Sequence, residues 1–519
     1  MTTTKKTRLW CGGCLHDVGP VDEYPFPFRC SRAVPGDDVD HVIRRTLHVS
    51  TWRTVTAPDE DETFVQSWLG SNGGWRHAMD AHSPFLKYRQ RLYSYHLGRA
   101  HGLPETEFAA IVADLDERIE AVESAGFRPT PFAPSRLLAR DLGLGEHGEI
   151  WVKDETGNVS GSHKARHLFG VMVYLRIIEA LLQRGLFPED APGAAHVVAA
   201  GVEPLAIASC GNAALAAAVV ARAASRTLEV YIPTWANRRV VADLERHGAD
   251  IRVCERRPGE RGDPCYLRFK ESVASGAIPF CCQGSDNGLA IEGGQTLVYE
   301  MLDALDTRPL DRLFIQVGGG ALASACVRGL EEALAAGAIE GLPRIHAVQT
   351  EAVAPLARAW DRIALEVMRR LGSNEYGEGV VLDAHDRPRI ASAIAGPAER
   401  RVVFDVIREA ATRRSRYMWP WEVVSHSLAE GILDDETYDW LAVVEGMLLS
   451  GGWPVLVREE DVERANHLAH WSTGIDVCHT GSAGLAGLLA MQRLGQADEN
   501  LARLANERIG VVFTGTERR

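Results

Sequence analysis

From Thr130 onward, the chain alternates short runs of β-branched residues with longer runs rich in alanine and leucine. This alternation is typical of a parallel sheet in which each strand is followed by a helix that covers one face. The predicted strands are Glu149–Val152, His196–Ala199, Leu205–Ala208, Leu228–Ile232, Asp250–Cys254, Arg312–Val317, Arg344–Gln349 and Ile509–Phe513. The predicted helices include Lys164–Arg184, Asn212–Ala224, Arg238–His247, Gly293–Ala304, Ala321–Ala336 and Ser482–Arg493. The sequence therefore predicts a doubly wound, parallel α/β fold.

Two regions depart from this alternation. Residues 1–127 begin with cysteines and prolines and continue into Trp-rich and helical segments such as Glu105–Ser124, so we interpret them as an N-terminal extension. Residues 398–439 are rich in arginine and contain Trp419-Pro-Trp421, and we interpret them as an insertion on the core. The core then spans residues 128–519, with a smaller subdomain at about residues 168–308.

Composition excludes several classes of partner. The 519 residues carry 70 acidic against 56 basic side chains, a net charge of −14, which argues against binding to nucleic acids or anionic membranes. No apolar run is long enough to span a membrane, and the first residues lack the apolar stretch of a signal peptide. Ten scattered cysteines indicate reduced thiols. We therefore expect a cytoplasmic protein.

Lys164 stands just past a Gly-Ser turn, at the head of an apolar helix. Positive charge is disfavoured beside the N–H groups that begin a helix, so an amine at this position is available as a nucleophile towards an aldehyde. A solvated lysine at a helix start is the alternative, since most lysines are exposed. The motifs further along the chain decide between the two.

Two glycine-containing loops follow predicted strands and open predicted helices. Ser209-Cys-Gly-Asn-Ala213 offers backbone N–H groups and an amide to an anion, although Ser and Asn also cap helices for local reasons. Gly318-Gly-Gly320 is a side-chain-free loop at a helix start and suits a phosphate, or is a plain glycine turn. It lacks the spacing of dinucleotide-binding and nucleoside-triphosphate-binding loops. Thr514 follows the last strand and offers a hydroxyl.

The early cysteines form an incomplete metal-binding pattern. Cys11, Cys14 and Cys30 give Cys-x2-Cys followed by one further cysteine, which is half of a zinc-ribbon pattern. His41 could serve as a fourth ligand, although its spacing is unusual. Trp10-Cys-Gly-Gly-Cys14 also resembles a redox dithiol, but no βαβ pattern surrounds it. We assign no metal to the predicted active site and keep the three cysteines as candidate zinc ligands.

Eight motifs, in this order, resemble the fold-type II pyridoxal-phosphate enzymes, the tryptophan synthase β-like family, and look most like those of threonine synthases and serine/threonine dehydratases. They are Thr130-Pro-Phe-Ala-Pro-Ser-Arg-Leu, Ile150-Trp-Val-Lys-Asp-Glu-Thr, Gly161-Ser-His-Lys164, Glu292-Gly-Gly-Gln-Thr, Val348-Gln-Thr-Glu351, Ile390-Ala-Ser-Ala-Ile-Ala-Gly-Pro397, Ser450-Gly-Gly-Trp453 and Gly481-Ser-Ala-Gly484. The match runs from Thr130 to Gly515, about three-quarters of the chain. The resemblance implies two doubly wound parallel-sheet domains with an N-terminal extension and a helical insertion.

The resemblance also implies a role for each site residue. Lys164 would hold pyridoxal 5′-phosphate as a Schiff base and move the α-proton of the substrate. The substrate carboxylate would be bound by Ser209, Cys210, Gly211, Asn212 and Ala213. The cofactor would be bound by Asn212 at its 3′ oxygen, by Gly318, Gly319, Gly320 and Ala321 at its phosphate, by Thr514 at its pyridine nitrogen, and by His163 beside its ring. A hydroxyl at the pyridine nitrogen leaves that atom largely unprotonated, which favours loss of a β or γ leaving group over transamination.

Several positions depart from the family pattern. His163 replaces a phenylalanine beside the cofactor and either adds a titratable group or only packs. Ala165, Cys210 and His479 are further changes near the expected site. Residues 234–238 stand where threonine synthases carry Gly-Lys, a region associated with the substrate phosphate, although Arg238 or the next arginine could substitute.

The altered phosphate region favours one function over the others. Our leading hypothesis is a pyridoxal-phosphate-dependent lyase of amino-acid metabolism that abstracts the α-proton of a small amino acid and eliminates its β-substituent, as dehydratases and ammonia-lyases do. The alternatives are a γ-elimination of the threonine-synthase type, a β-replacement like that of cysteine synthase, or a non-catalytic binding protein with this fold. We expect the chain to form a homodimer, as members of the family often do.

Overall fold

A computed structural model describes residues 7–21, 28–34, 36–46, 83–187, 203–260, 262–305, 308–373, 375–377, 380–423, 425–495 and 502–518. The strands are β1 (Arg8–Cys11), β2 (Asp17–Pro20), β3 (Ile43–Thr46), β4 (Phe132–Pro134), β5 (Glu149–Asp154), β6 (Leu205–Ala208), β7 (Leu228–Pro233), β8 (Asp250–Cys254), β9 (Ile278–Pro279), β10 (Arg312–Gln316), β11 (Arg344–Thr350), β12 (Val455–Val457) and β13 (Arg508–Phe513).

The helices include α1 (Pro84–Lys87), α2 (Tyr93–Ala100), α3 (Glu105–Glu123), α4 (Arg136–Asp141), α5 (Lys164–Gln183), α6 (Asn212–Ala223), α7 (Arg238–Arg246), α8 (Pro264–Ala274), α9 (Leu289–Ala304), α10 (Ala321–Ala335), α11 (Pro355–Arg370), α12 (Asp386–Ile394), α13 (Arg400–Ala411), α14 (Trp440–Ser450), α15 (Glu459–Thr473) and α16 (His479–Gly495). None of these helices combines the length and the apolar character that crossing a bilayer would require.

The larger sheet has six strands in the order β12-β11-β10-β13-β5-β4. All neighbouring strands are parallel except β4, which pairs antiparallel with β5 at one edge. Every residue of β10 and β13 is buried, which explains why the two central strands read as continuous apolar runs rather than as an alternating pattern. The central strands are therefore covered by helices on both faces.

The smaller sheet has four parallel strands in the order β8-β7-β6-β9. Apolar side chains of α5, α6 and α8 lie in one buried cluster with those of its strands. Two doubly wound parallel sheets confirm the predicted fold class. The predicted strand His196–Ala199 lies outside the described residues.

Two helices begin earlier than the sequence predicted. In both, glycines near the helix start lower the helical propensity of the sequence there. Helix α9 begins at Leu289, four residues before the predicted start, although Gly293 and Gly294 lie inside it. A Cβ on Gly293 would collide with the backbone of α5, so the glycine marks a close crossing of helices. Helix α16 begins at His479, not Ser482, and contains a glycine for a comparable reason: a Cβ on Gly484 would press on β10.

The described part of the N-terminal extension packs directly on the core. Strands β2, β1 and β3 form a small antiparallel sheet in that order. Apolar side chains of this sheet and of α1 to α3 join the same buried cluster as the helices of the smaller sheet, among them Leu9, Phe85 and Phe108. The extension therefore shares a hydrophobic core with the smaller sheet rather than forming one of its own.

A fully buried charged network fixes the start of α5. The guanidinium of Arg166 donates to both carboxylate oxygens of Glu155, at 2.8 and 3.0 Å, and to both of Glu300, at 2.8 and 2.9 Å. The ammonium of Lys153 donates to Glu300 at 2.5 Å. These residues belong to β5, its following turn, α5 and α9, so the network ties the first turn of α5 to the larger sheet and to a second helix. Lys164 lies two residues before Arg166 and is positioned by it.

We expect Arg166→Ala to lower the free energy of unfolding by about 3–5 kcal/mol, because it leaves two buried carboxylates with fewer partners. Arg118→Ala, which breaks an exposed Arg118–Asp114 pair on α3, should cost less than about 1 kcal/mol and is the matched control. Urea unfolding followed by circular dichroism measures both variants. Equal stability of the two variants would show that the buried network contributes nothing.

Candidate active site

Three neighbouring strands of the larger sheet place the predicted motifs at one edge. Strands β10, β13 and β5 are adjacent and parallel, so their carboxyl ends point the same way. The glycine loop Gly318–Gly320 follows β10, Thr514 follows β13, and the turn before Lys164 follows β5. In open parallel sheets, ligands bind outside these ends. The topology therefore brings the three motifs together, although they are far apart in the sequence.

The turn before Lys164 is held by local geometry that few residues accept. Gly161 has a φ of +66°, and a Cβ on it would collide with Thr516. The preceding Ser160 also has a positive φ, of 54°. Ser162 then pairs with Gly515 in an isolated β-bridge. Lys164 follows half-buried, and its ammonium makes no hydrogen bond or ion pair with the residues that the structure describes.

A carboxylate lies against the glycine loop. Asp434 Oδ2 is so close to Gly318 that a Cβ there would collide with it, and the backbone of Gly319 is among the groups that lower the pKa of Asp434. Gly320 has a φ of +95°, which turns the chain into α10 at Ala321. A helix start preceded by a glycine loop is suited to an anion. Here the carboxylate of Asp434 lies beside the loop.

Asp434 belongs to the 430–439 segment, which lies over the glycine loop. Thr437 Oγ1 donates to the carbonyl of Gly318 at 2.9 Å, and the N–H of Asp439 donates to the carbonyl of Gly319 at 3.0 Å. The sequence analysis assigned these residues to an insertion and gave them no role. The acidic run Asp434-Asp-Glu was the signal available in the sequence, but nothing local related it to the loop after β10.

Two buried carboxyl groups lie near Lys164. Burial raises the pKa of Asp434 to about 6, and the Lys164 ammonium opposes that rise. Burial also raises the pKa of Asp439 to about 7, with Lys164 again among the groups that lower it. The charge of Lys164 therefore lowers the pKa of both carboxyl groups. Both protonate near neutral pH, which is the range useful for acid–base catalysis.

Thr514 is buried and oriented by a glutamine that the sequence analysis did not single out. The side-chain amide of Gln316, the last residue of β10, donates to Thr514 Oγ1 at 2.8 Å. It also donates to the carbonyl of Gly481 at 2.7 Å, which fixes its own orientation. Because Thr514 Oγ1 accepts from Gln316, its own proton remains free to be donated to a ligand atom.

His163 packs between Lys164 and the last strand. Its Nδ1 donates to the carbonyl of Thr514 at 3.2 Å, and its Nε2 is buried without a partner among the described residues. Burial, followed by the charge of Lys164, lowers the pKa of His163 well below its usual value. The imidazole therefore stays neutral. Of the two possibilities left by the sequence, the structure favours packing over an added titratable charge.

The loop after β6 faces the same site from the smaller sheet. The pKa of the Cys210 thiol is raised by burial and then by Asp263 and Asp434, so this loop lies near the glycine loop. The N–H groups of Gly211 and Asn212 stand at the start of α6. Arg518, also absent from the sequence-based set, donates to Asn212 Oδ1 at 3.0 Å and to the carbonyl of Ser160 at 2.7 Å.

Some of the residues considered from the sequence lie elsewhere. Arg238 and Arg239 are exposed at the start of α7, and Asn237 caps that helix through the N–H of Arg239. Cys11, Cys14 and Cys30 lie in the small antiparallel sheet of the extension and its flanking turns, apart from Lys164. Lys164, the glycine loop and Thr514 lie at one edge of the larger sheet, and the predicted residues 209–213 follow β6 of the smaller sheet.

Comparison with protein families identifies this arrangement. The model of the family described as "Pyridoxal-phosphate dependent enzyme" matches residues 123–417, more than half of the chain. The chain belongs to the pyridoxal-phosphate-dependent enzymes. The matched residues include Lys164, the loop after β6 and the glycine loop, so the site described above lies largely within the region that defines the family.

Individual relatives of this pyridoxal-phosphate-dependent enzyme include threonine synthase from Methanocaldococcus jannaschii, 24% identical over 46% of this chain and 52% of the relative. The serine dehydratase-like protein of Rattus norvegicus is 28% identical over 41% of this chain and 55% of the relative. The chain thus spans about half the length of the curated relatives it matches. Diaminopropionate ammonia lyase from Escherichia coli shares the fold, with a TM-score of 0.51 and 14% identity over 79% of this chain and 89% of that chain.

The residues present fit a bound pyridoxal phosphate on one condition. The glycine loop lies at a helix start with a carboxylate oxygen against it, Thr514 can donate a hydrogen bond through its hydroxyl, and Lys164 has a free ammonium. The condition is that the Asp434 carboxylate moves, because it lies against Gly318 and would carry the same charge as a phosphate bound by this loop. We therefore expect Asp434 to compete with the cofactor.

We expect Asp434→Asn to bind pyridoxal phosphate between about threefold and thirtyfold more tightly than the wild type near neutral pH, because it removes a like charge beside the phosphate. The Asp434 carboxyl is mostly ionised above its pKa of about 6 and neutral below it. The difference between variant and wild type should therefore shrink as the pH falls below 6. Fluorescence titration of the apoprotein with the cofactor measures both affinities.

Asp114→Asn, on the exposed face of α3, is the matched control and should leave the affinity for the cofactor unchanged. Weaker cofactor binding by Asp434→Asn than by wild type would contradict competition at the glycine loop. Such a result would indicate that Asp434 supports the bound cofactor instead.

Proposed function

We propose that the protein is a pyridoxal-phosphate-dependent lyase that removes the α-proton of a small amino acid and eliminates its β-substituent, releasing a 2-oxo acid and ammonia. The observation that carries this proposal is the acidic, not basic, surrounding of Lys164. The charge of Lys164 lowers the pKa of Asp434 and of Asp439. The charges of Asp263 and Asp434 raise the pKa of the Cys210 thiol in the loop after β6. Such a site disfavours a substrate that brings a second phosphate dianion.

Exposure of the two candidate arginines supports the same conclusion. Arg238 and Arg239 were the residues that could have replaced the lysine of threonine synthases at the substrate phosphate. Both are exposed, and no hydrogen bond or ion pair of either side chain joins it to another described residue. A neutral β-hydroxyl group is therefore a better leaving group for this site than a phosphate on the γ-carbon.

Each residue of the site has a proposed part in the elimination. Bound pyridoxal phosphate supplies the electron sink that makes the α-proton acidic. Lys164 holds the cofactor and accepts the α-proton through its amine. Asp439, whose pKa is raised to about 7, donates a proton to the departing β-hydroxyl group. Because His163 is neutral, it places no second positive charge beside Lys164.

Two loops would orient the substrate and the cofactor. The N–H groups at the start of α6 hold the substrate carboxylate beside the hydroxyl of Ser209. Arg518 donates to Asn212 Oδ1 at 3.0 Å and so fixes the orientation of that side-chain amide. Thr514, held by Gln316, would donate a hydrogen bond to the ring nitrogen of the cofactor without protonating it, which would favour elimination over transamination.

Two broader assignments accompany this proposal. We infer that the chain works as a homodimer in the cytoplasm. All ten cysteines are free thiols, which suits a reducing compartment. The net charge of −14 suits a protein that does not bind nucleic acid.

We expect the purified protein, supplied with pyridoxal phosphate, to release equal amounts of 2-oxo acid and ammonia from L-serine or L-threonine, and no phosphate from O-phospho-L-homoserine. Lys164→Ala should lose at least about a hundredfold in turnover, because the amine that moves the proton is gone. Lys87→Ala, a partly exposed lysine on α1, is the matched control. Coupled assays for 2-oxo acid, ammonia and phosphate measure all three products.

The product pattern separates the alternatives. Phosphate release without ammonia would identify the γ-elimination instead. Absence of product from every amino acid tested, in a protein whose bound cofactor nonetheless absorbs visible light, would favour a binding protein. Retention of turnover by Lys164→Ala would overturn the proposal.

A further inference from the structure

Four metal-ligand side chains meet in the N-terminal extension, far from Lys164 in the sequence. The ligand atoms of Cys11, Cys14, Cys30 and His41 all lie within 4.8 Å of one another. Cys11 and Cys30 are buried, while Cys14 and His41 are half-buried. All three cysteines are free thiols, so no disulfide accounts for their closeness. This group of four side chains is called the Cys3His cluster below.

The separations within the Cys3His cluster are those of a tetrahedral metal site. Zinc binds thiolate sulfur at about 2.3 Å and imidazole nitrogen at about 2.0–2.1 Å, so tetrahedral neighbours stand roughly 3.5–3.8 Å apart. Cys14 Sγ and Cys30 Sγ are 3.7 Å apart. Cys11 Sγ and His41 Nδ1 are 3.4 Å apart. A disulfide would instead need the sulfurs at about 2.05 Å.

His41 is oriented as a metal ligand. Its Nε2 lies 3.1 Å from Asp37 Oδ2, and the carboxylate can only accept, so Nε2 carries the proton. The lone pair of Nδ1 is then directed towards Cys11 Sγ. A carboxylate that holds the second ring nitrogen of a ligating histidine is a recurring feature of zinc sites. The sequence spacing did not reveal this pairing, because residues 31–40 separate Cys30 from His41.

The backbone is folded to bring these ligands together. Strand β1 ends at Cys11, and the N–H of Leu15 donates to the carbonyl of Cys11 at 2.9 Å, which closes a tight turn around Cys14. A Cβ on Gly13 would collide with the carbonyl of Asp40, so only glycine lets the segment with His41 approach this turn. The N–H of Gly12 adds a hydrogen bond to Val42 at 2.8 Å.

We propose that the Cys3His cluster binds one structural Zn²⁺ ion. Three thiolates and one imidazole complete a closed tetrahedral shell, which leaves no open position for a substrate or a reactive water. Soft thiolate ligands select zinc over the hard cations magnesium and calcium. The site is independent of the cofactor and of the proposed lyase activity.

The residue next to the zinc ligand His41 is connected to the 430–439 segment, which lies over the glycine loop. The N–H of Asp40, next to the ligand His41, donates to the carbonyl of Ala411 at 2.8 Å, and its carboxylate pairs with Arg414 at 3.4 Å. Arg414 in turn pairs with Glu436, within the 430–439 segment. A chain of direct contacts therefore leads from the zinc ligands to the segment that carries Asp434.

Metal analysis of the protein as purified tests the site directly. We expect about one equivalent of zinc per chain after extensive dialysis, measured by inductively coupled plasma mass spectrometry. The mercurial p-hydroxymercuribenzoate, which displaces zinc by binding thiolates, should release that zinc into a colorimetric indicator. Replacement by Co²⁺ should give the intense visible bands of a tetrahedral thiolate site. These measurements use the wild-type chain and do not depend on a variant folding.

Two variants locate the metal. His41→Ala and Cys14→Ser should each lose most of the zinc, whereas Cys254→Ser, a buried free thiol of β8, should keep it. If both ligand variants fail to fold, mass spectrometry of the wild-type protein after mild alkylation, with and without a chelator, assigns the thiols that zinc protects. Protection of Cys11, Cys14 and Cys30 supports the site.

Three results would overturn the proposal: wild-type protein without zinc after purification in zinc-containing medium, zinc retained fully by Cys14→Ser, or a tightly bound metal other than zinc. Lyase activity does not enter these outcomes. A protein that binds zinc but lacks turnover would therefore refute the proposed function alone.

Discussion

The buried pairing of Arg166 with Glu155 and Glu300 is the interaction on which the rest of the site depends. Each of these charges would be costly in the interior without the others, and together they join the larger sheet, its following turn and two helices at one point. Lys164 stands two residues before that point, so its position is set by a network that it does not join. The glycine loop and Thr514 reach the same place because β10, β13 and β5 are adjacent and parallel.

We expect two anions to compete for the glycine loop. The carboxylate of Asp434 lies against Gly318 in this loop, and burial raises the pKa of that group to about 6. Asp434 is delivered by the 430–439 segment, which is tied through Glu436 and Arg414 to the N-terminal extension. We therefore expect the affinity for the cofactor to depend on the protonation of Asp434.

The sequence predicted what depends on local periodicity and on strand ends. Alternating apolar runs indicated the parallel sheets, and the motif after β10 and that before α5 were recognisable because glycine and lysine stand at helix starts. Gln316 and Arg518 were missed, since a glutamine at a strand end and an arginine near the terminus look ordinary until the fold places them against Thr514 and Asn212. Asp434 was missed because its closeness to Gly318 joins residues more than a hundred positions apart. His41 was considered as a fourth zinc ligand, but its distance from Cys30 in the sequence matches no usual spacing.

The central claim is that Lys164 is the residue that holds pyridoxal phosphate. The most direct test is to reduce the protein–cofactor complex with sodium borohydride and map the fixed pyridoxyl group by peptide mass spectrometry. The account predicts the label on the peptide that contains Lys164 and none on Lys153, which is fully buried and paired with Glu300. A label on any other lysine, or no stable label in a protein saturated with cofactor, would contradict it.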